Sequence, residues 1–311
     1  MFKLLALIGF SLFTTMAAAR ETVTIVYSWN VGDAAMNFYR ALAEESNKIQ
    51  NKYQFVVEAK PGAGGSIAAK HVESNPNVIL ANSSALFIRP IFFPGDQSHN
   101  VSAFKSILPM CSAPMLIVSS RYKNWNEVPK DRALTIGMSG NGSTTHLVAT
   151  QVAARYPNMI TVPFKSTSDA LLSAVSEQTD FAVVFMGDAE GWTKDNRSDK
   201  KVHLLGTTGR QAVGGAAPLS AQGFPATLAD MSSNQQIFVN KQFPDAKFRE
   251  IRGIFFQAAR GDLVRRANAV DHCIPNSQVP DSELDAWFRN QEQQWTRIAT
   301  PVAEKLKTAN K

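Results

Sequence analysis

The sequence predicts an α/β protein with largely parallel sheets, arranged as two lobes, and three observations lead there. Short apolar, β-rich runs alternate with segments of helical periodicity. Several of these runs carry no polar face, as strands covered by helices on both sides require. Beyond its first twenty residues the chain keeps about 290, enough for two separate cores.

Taken in order, the expected strands span 23–27, 55–58, 78–81, 115–119, 134–138, 160–163, 181–186, 202–206 and 253–258. Between them, Phe38, Leu42, Ala43 and Ile49 share one helical face after Asp33. Val148, Val152 and Tyr156 do so after Ser143, and Leu171, Leu172 and Val175 after Ser168. Each start offers a side chain able to cap free backbone N–H groups. From Ser282 onward, Leu284, Trp287, Phe288, Gln291 and Trp295 mark an amphipathic helix that Pro301 is expected to end or kink. No internal repeat or flexible linker separates the lobes, which fits lobes joined by crossing strands.

Residues 1–19 have a single cation at Lys3, an apolar run from Leu4 to Phe13, and Ala17, Ala18 and Ala19 before Arg20. That is the layout of a cleavable secretory signal, too short to span a bilayer. The mature chain is expected to start near Arg20. No Cys follows the small residues and no paired Arg precedes the apolar run, so neither a lipid anchor nor twin-arginine export is indicated.

The formal net charge is +6, but cations are scattered among acids, with no basic run of the kind that tracks phosphates. Nucleic acid is therefore not an expected partner, while a mild positive field suits an anionic ligand. Cys111 and Cys273 enter an oxidising compartment, and spacing alone leaves two alternatives open, a disulfide or two buried thiols. Neither has Cys or His neighbours at zinc spacing, and the five histidines, 71, 99, 146, 203 and 272, are dispersed. No metal or cofactor is expected.

In open α/β sheets ligands bind beyond the carboxyl ends of strands, so the strand-to-helix loops carry the functional signal. Three are unusual: Ser28-Trp29-Asn30-Val31-Gly32-Asp33, Pro61-Gly62-Ala63-Gly64-Gly65-Ser66, and Ser139-Gly140-Asn141-Gly142-Ser143-Thr144-Thr145-His146. Glycines let a ligand approach the backbone, and a helix N-terminus offers unpaired N–H groups that favour a carboxylate or phosphate. The second loop lacks the Gly-Lys-Ser or Gly-Lys-Thr of a nucleotide loop. Catalysis finds little support. The third loop lacks a Gly-x-Ser-x-Gly elbow, and Asp180 reads as a strand-end turn residue.

The ordered set Pro61-Gly62-Ala63-Gly64-Gly65-Ser66-Ile67-Ala68-Ala69, then Ser139 to Ser143 leading to His146-Leu147, then Val162-Pro163-Phe164-Lys165-Ser166, resembles the Bug receptors. These are periplasmic substrate-binding proteins of tripartite tricarboxylate transporters, and the resemblance runs from Val23 to about Leu306. It implies a Venus flytrap fold with crossing hinge strands, lobe 1 from 20–120 plus 247–311 and lobe 2 from 121–246. It also implies a non-enzymatic, monomeric periplasmic receptor that holds a small carboxylate for membrane subunits of the transporter. Carried over by residue, the ligand set is Trp29, Asn30, Asp33, Ala63 and Gly64 from one lobe. From the other come Ser139, Asn141, Gly142, Ser143, Thr144, His146 and Asp188.

The chain departs from the family pattern where the ligand would sit. Only Gly32 precedes Asp33 where paired glycines are usual, Ser74-Asn75-Pro76-Asn77-Val78 lacks the familiar Asp-Gly-Tyr-Thr, and Phe164 replaces a Tyr. Alternative readings on the same scaffold are a binding protein of a TRAP or ABC uptake system or a sensory receptor. The most distant is a secreted hydrolase using Ser139 or Ser143.

Overall fold

A computed structural model describes residues 19–193 and 201–309. Apart from Ala19, the expected signal segment lies outside the described residues. In chain order the elements are β1 (Glu21–Tyr27), α1 (Met36–Ile49), β2 (Tyr53–Ala59), α2 (Ser66–Ser74), β3 (Ile79–Asn82), α3 (Ala85–Phe92) and β4 (Phe104–Ala113). There follow β5 (Leu116–Ser119), β6 (Leu134–Met138), α4 (Thr144–Ala153), β7 (Met159–Pro163), α5 (Thr167–Val175), β8 (Phe181–Val184), α6 (Met186–Thr193) and β9 (His203–Thr207). The chain closes with β10 (Ser233–Asn240), α7 (Asp245–Ala258), α8 (Asp262–Val270), β11 (Ile274–Pro275) and α9 (Leu284–Ala309).

Two sheets result, one ordered β11-β4-β10-β3-β1-β2 and the other β7-β6-β8-β5-β9. Each has a parallel βαβ half, β2-β1-β3 in the first and β7-β6-β8 in the second. Each also has an antiparallel half, so the sheets are mixed rather than largely parallel. The antiparallel halves hold the strands that lead across the hinge. The chain leaves the first sheet between β4 and β5 and returns between β9 and β10. At the crossing, Met115 N donates to Thr208 Oγ1 (2.9 Å) and Thr208 N to Met115 O (2.8 Å), which ties the two passages side by side.

This connectivity corrects the expected lobe limits. β5 lies in the second sheet although 20–120 was expected for lobe 1, and β10 lies in the first although 121–246 was expected for lobe 2. All eight residues of β10 are buried, including Asn234, Gln235 and Gln236, whose polarity hides the strand from a pattern reading. The run 253–258, expected as a strand, is the last part of α7. A short apolar run cannot be told from a buried helical face by periodicity alone, and here the helix begins at Asp245, behind Pro244.

Pro301 neither ends the last helix nor marks its limit, since α9 runs to Ala309. Removing one backbone donor is offset by packing: Trp295, Ala299 and Ala303 are buried, and α9 lies against α3 and β4. α5 is capped by Ser166, whose Oγ accepts from Asp169 N (3.0 Å), and not by Ser168. Asp180 is buried at the start of β8. Its Oδ1 accepts from Arg121 Nη1 (2.6 Å) and Arg132, and its Oδ2 from Thr135 N (2.9 Å), a structural set that braces β6 against β8.

Candidate functional site

The sheet order decides where a site can form. From β1 the chain crosses to β2 on one side and, through α2, β3 comes to lie on the other, so the crevice of the first lobe opens beyond the ends of β1 and β3. In the second lobe the same reversal occurs around β6 and β8. The loops from these four strand ends face one another. Trp29 and Asp33 follow β1, Ser83 follows β3, Ser139, Ser143, Thr144 and Thr145 follow β6, and Phe185 follows β8, and all wall one chamber of about 10 Å³. Tyr27, Thr167 and Gln235 help to complete it.

The chamber walls are polar and partly unsatisfied. Trp29 Nε1 and Thr144 Oγ1 are buried with no hydrogen-bond partner, while Tyr27 Oη is buried beside the Asp33 carboxyl. Buried polar groups are normally paired, so two unpaired ones around one small space mark it as built for something that accepts hydrogen bonds. α4 adds to them. Ser143 Oγ caps it by accepting from His146 N (3.1 Å), while the first N–H groups of the helix have no partner within it. Tyr27 and Trp29 meet edge to face, ring centroids 5.7 Å apart, and both rings wall the chamber.

Outside the chamber lies a larger cleft of about 960 Å³, and Trp29 and Ser139 wall both spaces. Its other walls include Asn30, Ala63, Gly64, Arg89, Phe93, Asn141, Phe164, Lys165 and Asp169. Of the twelve residues expected from sequence, Trp29, Asn30, Ala63, Gly64, Ser139 and Asn141 border the cleft, and Trp29, Asp33, Ser139, Ser143 and Thr144 border the chamber. Gly142, His146 and Asp188 border neither. Gly142 N donates to His146 Nδ1 (3.0 Å), so this backbone donor and this ring nitrogen satisfy each other. The hydroxyls of Ser139 and Ser143 both contact Thr145 Oγ1, at 2.8 and 2.9 Å.

Arg89, Tyr27, Thr167 and Gln235 escape a sequence reading because they sit inside elements rather than in loops. Arg89 lies in the apolar run of α3, 7 % exposed, with its guanidinium 3.8 Å from the Phe93 ring centroid. It crosses the cleft to donate from Nη1 to Asn141 O (2.6 Å).

A second set of contacts joins the lobes on the other side of the chamber. Thr167 Oγ1 donates to Asp33 Oδ1 (2.9 Å), Ala34 N to Asp188 Oδ1 (3.1 Å), Asn30 Nδ2 to Asp169 Oδ2 (3.3 Å), and Gly187 N to Asp271 Oδ1 (2.5 Å). Burial, and then the neighbouring charge of Asp188, push the Asp33 carboxyl up to about 8. Burial raises Asp188 as well, against the hydrogen bonds donated by Ser168 Oγ, Ala34 N and Phe185 N. Burial likewise pushes Asp271 up to about 7.

Two buried histidines shift the other way, His99 and His146 both lowered to about 4 by burial. Their signs set the stability profile. A buried neutral His favours the folded state as pH rises from about 4 to 6.5, whereas a raised Asp disfavours it as pH climbs toward its folded pKa. Below pH 6.5 the two effects offset. Above it Asp33, up to about 8, and Asp271, up to about 7, still titrate, together costing about 2–3 kcal/mol by pH 8.5, and the raised Asp188 acts in the same direction. Urea unfolding at pH 6.5 and 8.5 is expected to show that loss, reduced in Asp33→Asn; a flat or rising profile would overturn the assignment.

Comparison with known proteins places these features among relatives. The sequence model of the tripartite tricarboxylate transporter family receptor matches residues 38–217. No curated protein sequence matches the chain. Among solved structures, the periplasmic binding protein BugD is similar at 19 % identity and TM-score 0.80, over 93 % of this chain and 98 % of its own. MatC from Rhodopseudomonas palustris, with bound malate, is similar at 15 % identity and TM-score 0.75, over 91 % of this chain and 99 % of its own. A further R. palustris protein, with adipate, is similar at 15 % identity and TM-score 0.76, over 92 % of this chain and 98 % of its own.

Proposed function

Since the chain belongs to the tripartite tricarboxylate transporter receptor family, we propose that it captures a small organic carboxylate in the periplasm and presents it to the membrane subunits of such a transporter. The observation that carries the reading is the meeting of Trp29 and Thr144, each with a buried polar atom lacking a partner, and the N-terminus of α4 at a water-sized chamber that shares Trp29 and Ser139 with the cleft of about 960 Å³ between the lobes. Donors without partners fit the oxygens of a carboxylate, and the positive end of a helix favours its charge. Three or four charge-assisted hydrogen bonds at about 1.5–3 kcal/mol each support micromolar affinity, about 8 kcal/mol, after desolvation and ordering. Malate and adipate in the two R. palustris relatives make short carboxylates the first class to try.

The reading assigns the protein no catalysis. Capture proceeds by hinge motion about the paired passages at Met115 and Thr208, with the ligand docking on one lobe and the other closing over it. The receptor acts as an exported monomer from which residues 1–19 have been removed, with 20–113 and 233–309 forming lobe 1 and 116–207 lobe 2.

The test is a thermal-shift screen of residues 20–311 against C3 to C6 mono- and dicarboxylates, amino acids and aromatic acids. A ligand that binds only the folded state raises the melting temperature, by about 2.7 kcal/mol of stabilisation at a hundred times its Kd. The expected result is a clear shift with one acid class, lost in Trp29→Phe, which keeps the aromatic wall and deletes the donor. Silence across the acids would overturn the carboxylate reading.

A further inference from the structure

Closing carries carboxylates of opposite lobes into one enclosed corner. Asp33 precedes α1 in lobe 1, Asp188 lies in the first turn of α6 in lobe 2, and Asp271 follows α8 in lobe 1. The start of α6 is inserted between the two lobe 1 segments: a Cβ built at Gly187 would stand 2.7 Å from Asp271 Oδ1 and 3.1 Å from Ala34 Cβ. Gly187 N donates to Asp271 Oδ1 (2.5 Å) and Ala34 N to Asp188 Oδ1 (3.1 Å), so the corner is assembled only when the lobes meet. Asp33 and Asp271 are 3 % and 2 % exposed.

Hydrogen bonds reach these oxygens, but positive charge does not. Thr167 Oγ1 donates to Asp33 Oδ1 (2.9 Å) and also lies beside Asp188, yet a hydroxyl has one proton to give. Ala35 N donates to Asp33, while Ser168 Oγ and Phe185 N join Ala34 N on Asp188. The titratable groups that face the acids are Tyr27 from β1, Tyr39 from α1, Glu190 from α6 and one another. Further out, Asp169 accepts from Asn30 Nδ2, Arg89 and Lys165 border the outer cleft, and His272 is exposed. Among the described residues, the charges that act most on Asp33 and Asp271 are therefore those of other acids.

Bringing carboxylates together and away from water without a counter-ion is unfavourable, and a bound proton removes that cost. Burial and the charge of Asp188 push Asp33 up to about 8 and Asp271 up to about 7. With the lobes apart each carboxyl faces water and returns to its ordinary range, about 4. A pKa that is higher in the closed state favours closing below it, and the advantage is lost as pH rises through it. We propose that closing takes up a proton on this acid cluster, with Asp188 as the positioning residue that makes the receptor shut more firmly as pH falls, an assignment that rests on the hinge motion above and not on which acid is carried.

Calorimetry of the chain 20–311 with malate and with adipate as probes is expected to show proton uptake at pH 7.5 in two buffers of different ionisation enthalpy. Affinity is expected to be at least about tenfold higher at pH 6.5 than at pH 8.5, a range in which His99 and His146, lowered to about 4, stay neutral. Asp188→Asn removes the charge between Asp33 and Asp271 and is expected to flatten the slope. A probe that binds with flat affinity and no proton uptake overturns the inference and leaves the carboxylate reading standing, and equal slopes in Asp188→Asn and wild type overturn the role of Asp188. If neither probe binds, small-angle scattering of the ligand-free chain decides: a smaller radius of gyration at pH 6.5 than at pH 8.5 is expected, and an unchanged radius overturns the inference. The wild-type measurements decide the matter even if the variant does not fold.

Discussion

Replacing Gly64 with alanine is expected to yield a folded receptor that cannot close, with ligand affinity reduced at least about a hundredfold. The reason is a backbone-to-backbone meeting of the two lobes. A Cβ built at Gly64 would stand 2.2 Å from Asn141 O, and one at Gly140 would stand 3.1 Å from Gly64 N. Neither neighbour is a flexible side chain that can swing aside. Asn141 O is held in addition by Arg89 Nη1, so moving the loop away breaks that bond too. Gly64 also has φ 59°, and an alanine in this left-handed region costs about 1 kcal/mol in any lobe arrangement. Gly95→Ala separates the two effects, because Gly95 has φ 69° and nothing within 4 Å of its Cβ position. Both variants should lose a little melting temperature, but only Gly64→Ala should lose binding by calorimetry and stay expanded by small-angle scattering when the acid is added. Equal affinity in the two variants would remove the seam from the closing mechanism.

The same seam explains what sequence can and cannot reveal here. Gly64, Ser139 and Asn141 stand out because a glycine-rich stretch after a strand has a local physical meaning, close backbone approach at a helix start. Trp29 and Asp33 stand out because they occupy the loop after the first strand. Arg89 does not, since it reads as one polar residue in a buried helix, and only the assembled fold shows its guanidinium reaching Asn141. Gln235 belongs to β10, whose polar run 234–236 resembles a loop until it is seen paired with both β3 and β4. Gly142 and His146 border neither space for a related reason. Spacing places them beside a helix N-terminus, but the hydrogen bond between Gly142 N and His146 Nδ1 takes up both groups. Periodicity and turn chemistry are local properties, and the parallel βαβ halves follow from them. The crossing strands, the lobe limits and the pairing of buried acids depend on contacts distant in sequence.

The largest expected effect on stability comes from one such distant contact, the disulfide between Cys111 and Cys273, which are separated by 162 residues with Cα atoms 5.6 Å apart. Cross-linking positions so far apart removes much loop entropy from the unfolded chain, about 5 kcal/mol by the chain-entropy model, with native disulfides usually contributing about 2–5. Urea unfolding of Cys111→Ser/Cys273→Ser, or of the wild type under reductant, is expected to show a loss of about 3–5 kcal/mol. A change below about 1 kcal/mol would mean that β4 and the 271–276 segment stay together without the bond. They do share other contacts: Ile274 pairs with Ser112, Pro275 with Cys111, and Asn276 N donates to Met110 O (2.9 Å). The bond matters for closing as well as for stability. Cys111 lies on the strand that leads to the hinge at Met115, and Cys273 follows Asp271, whose carboxylate accepts from Gly187 N of the opposite lobe. Reduction therefore frees the segment that positions Asp271, so the reduced protein should also bind its ligand more weakly than the oxidised one. That binding loss should be smaller than the loss in Gly64→Ala, since Asp33, Asp188 and Arg89 still reach across the cleft.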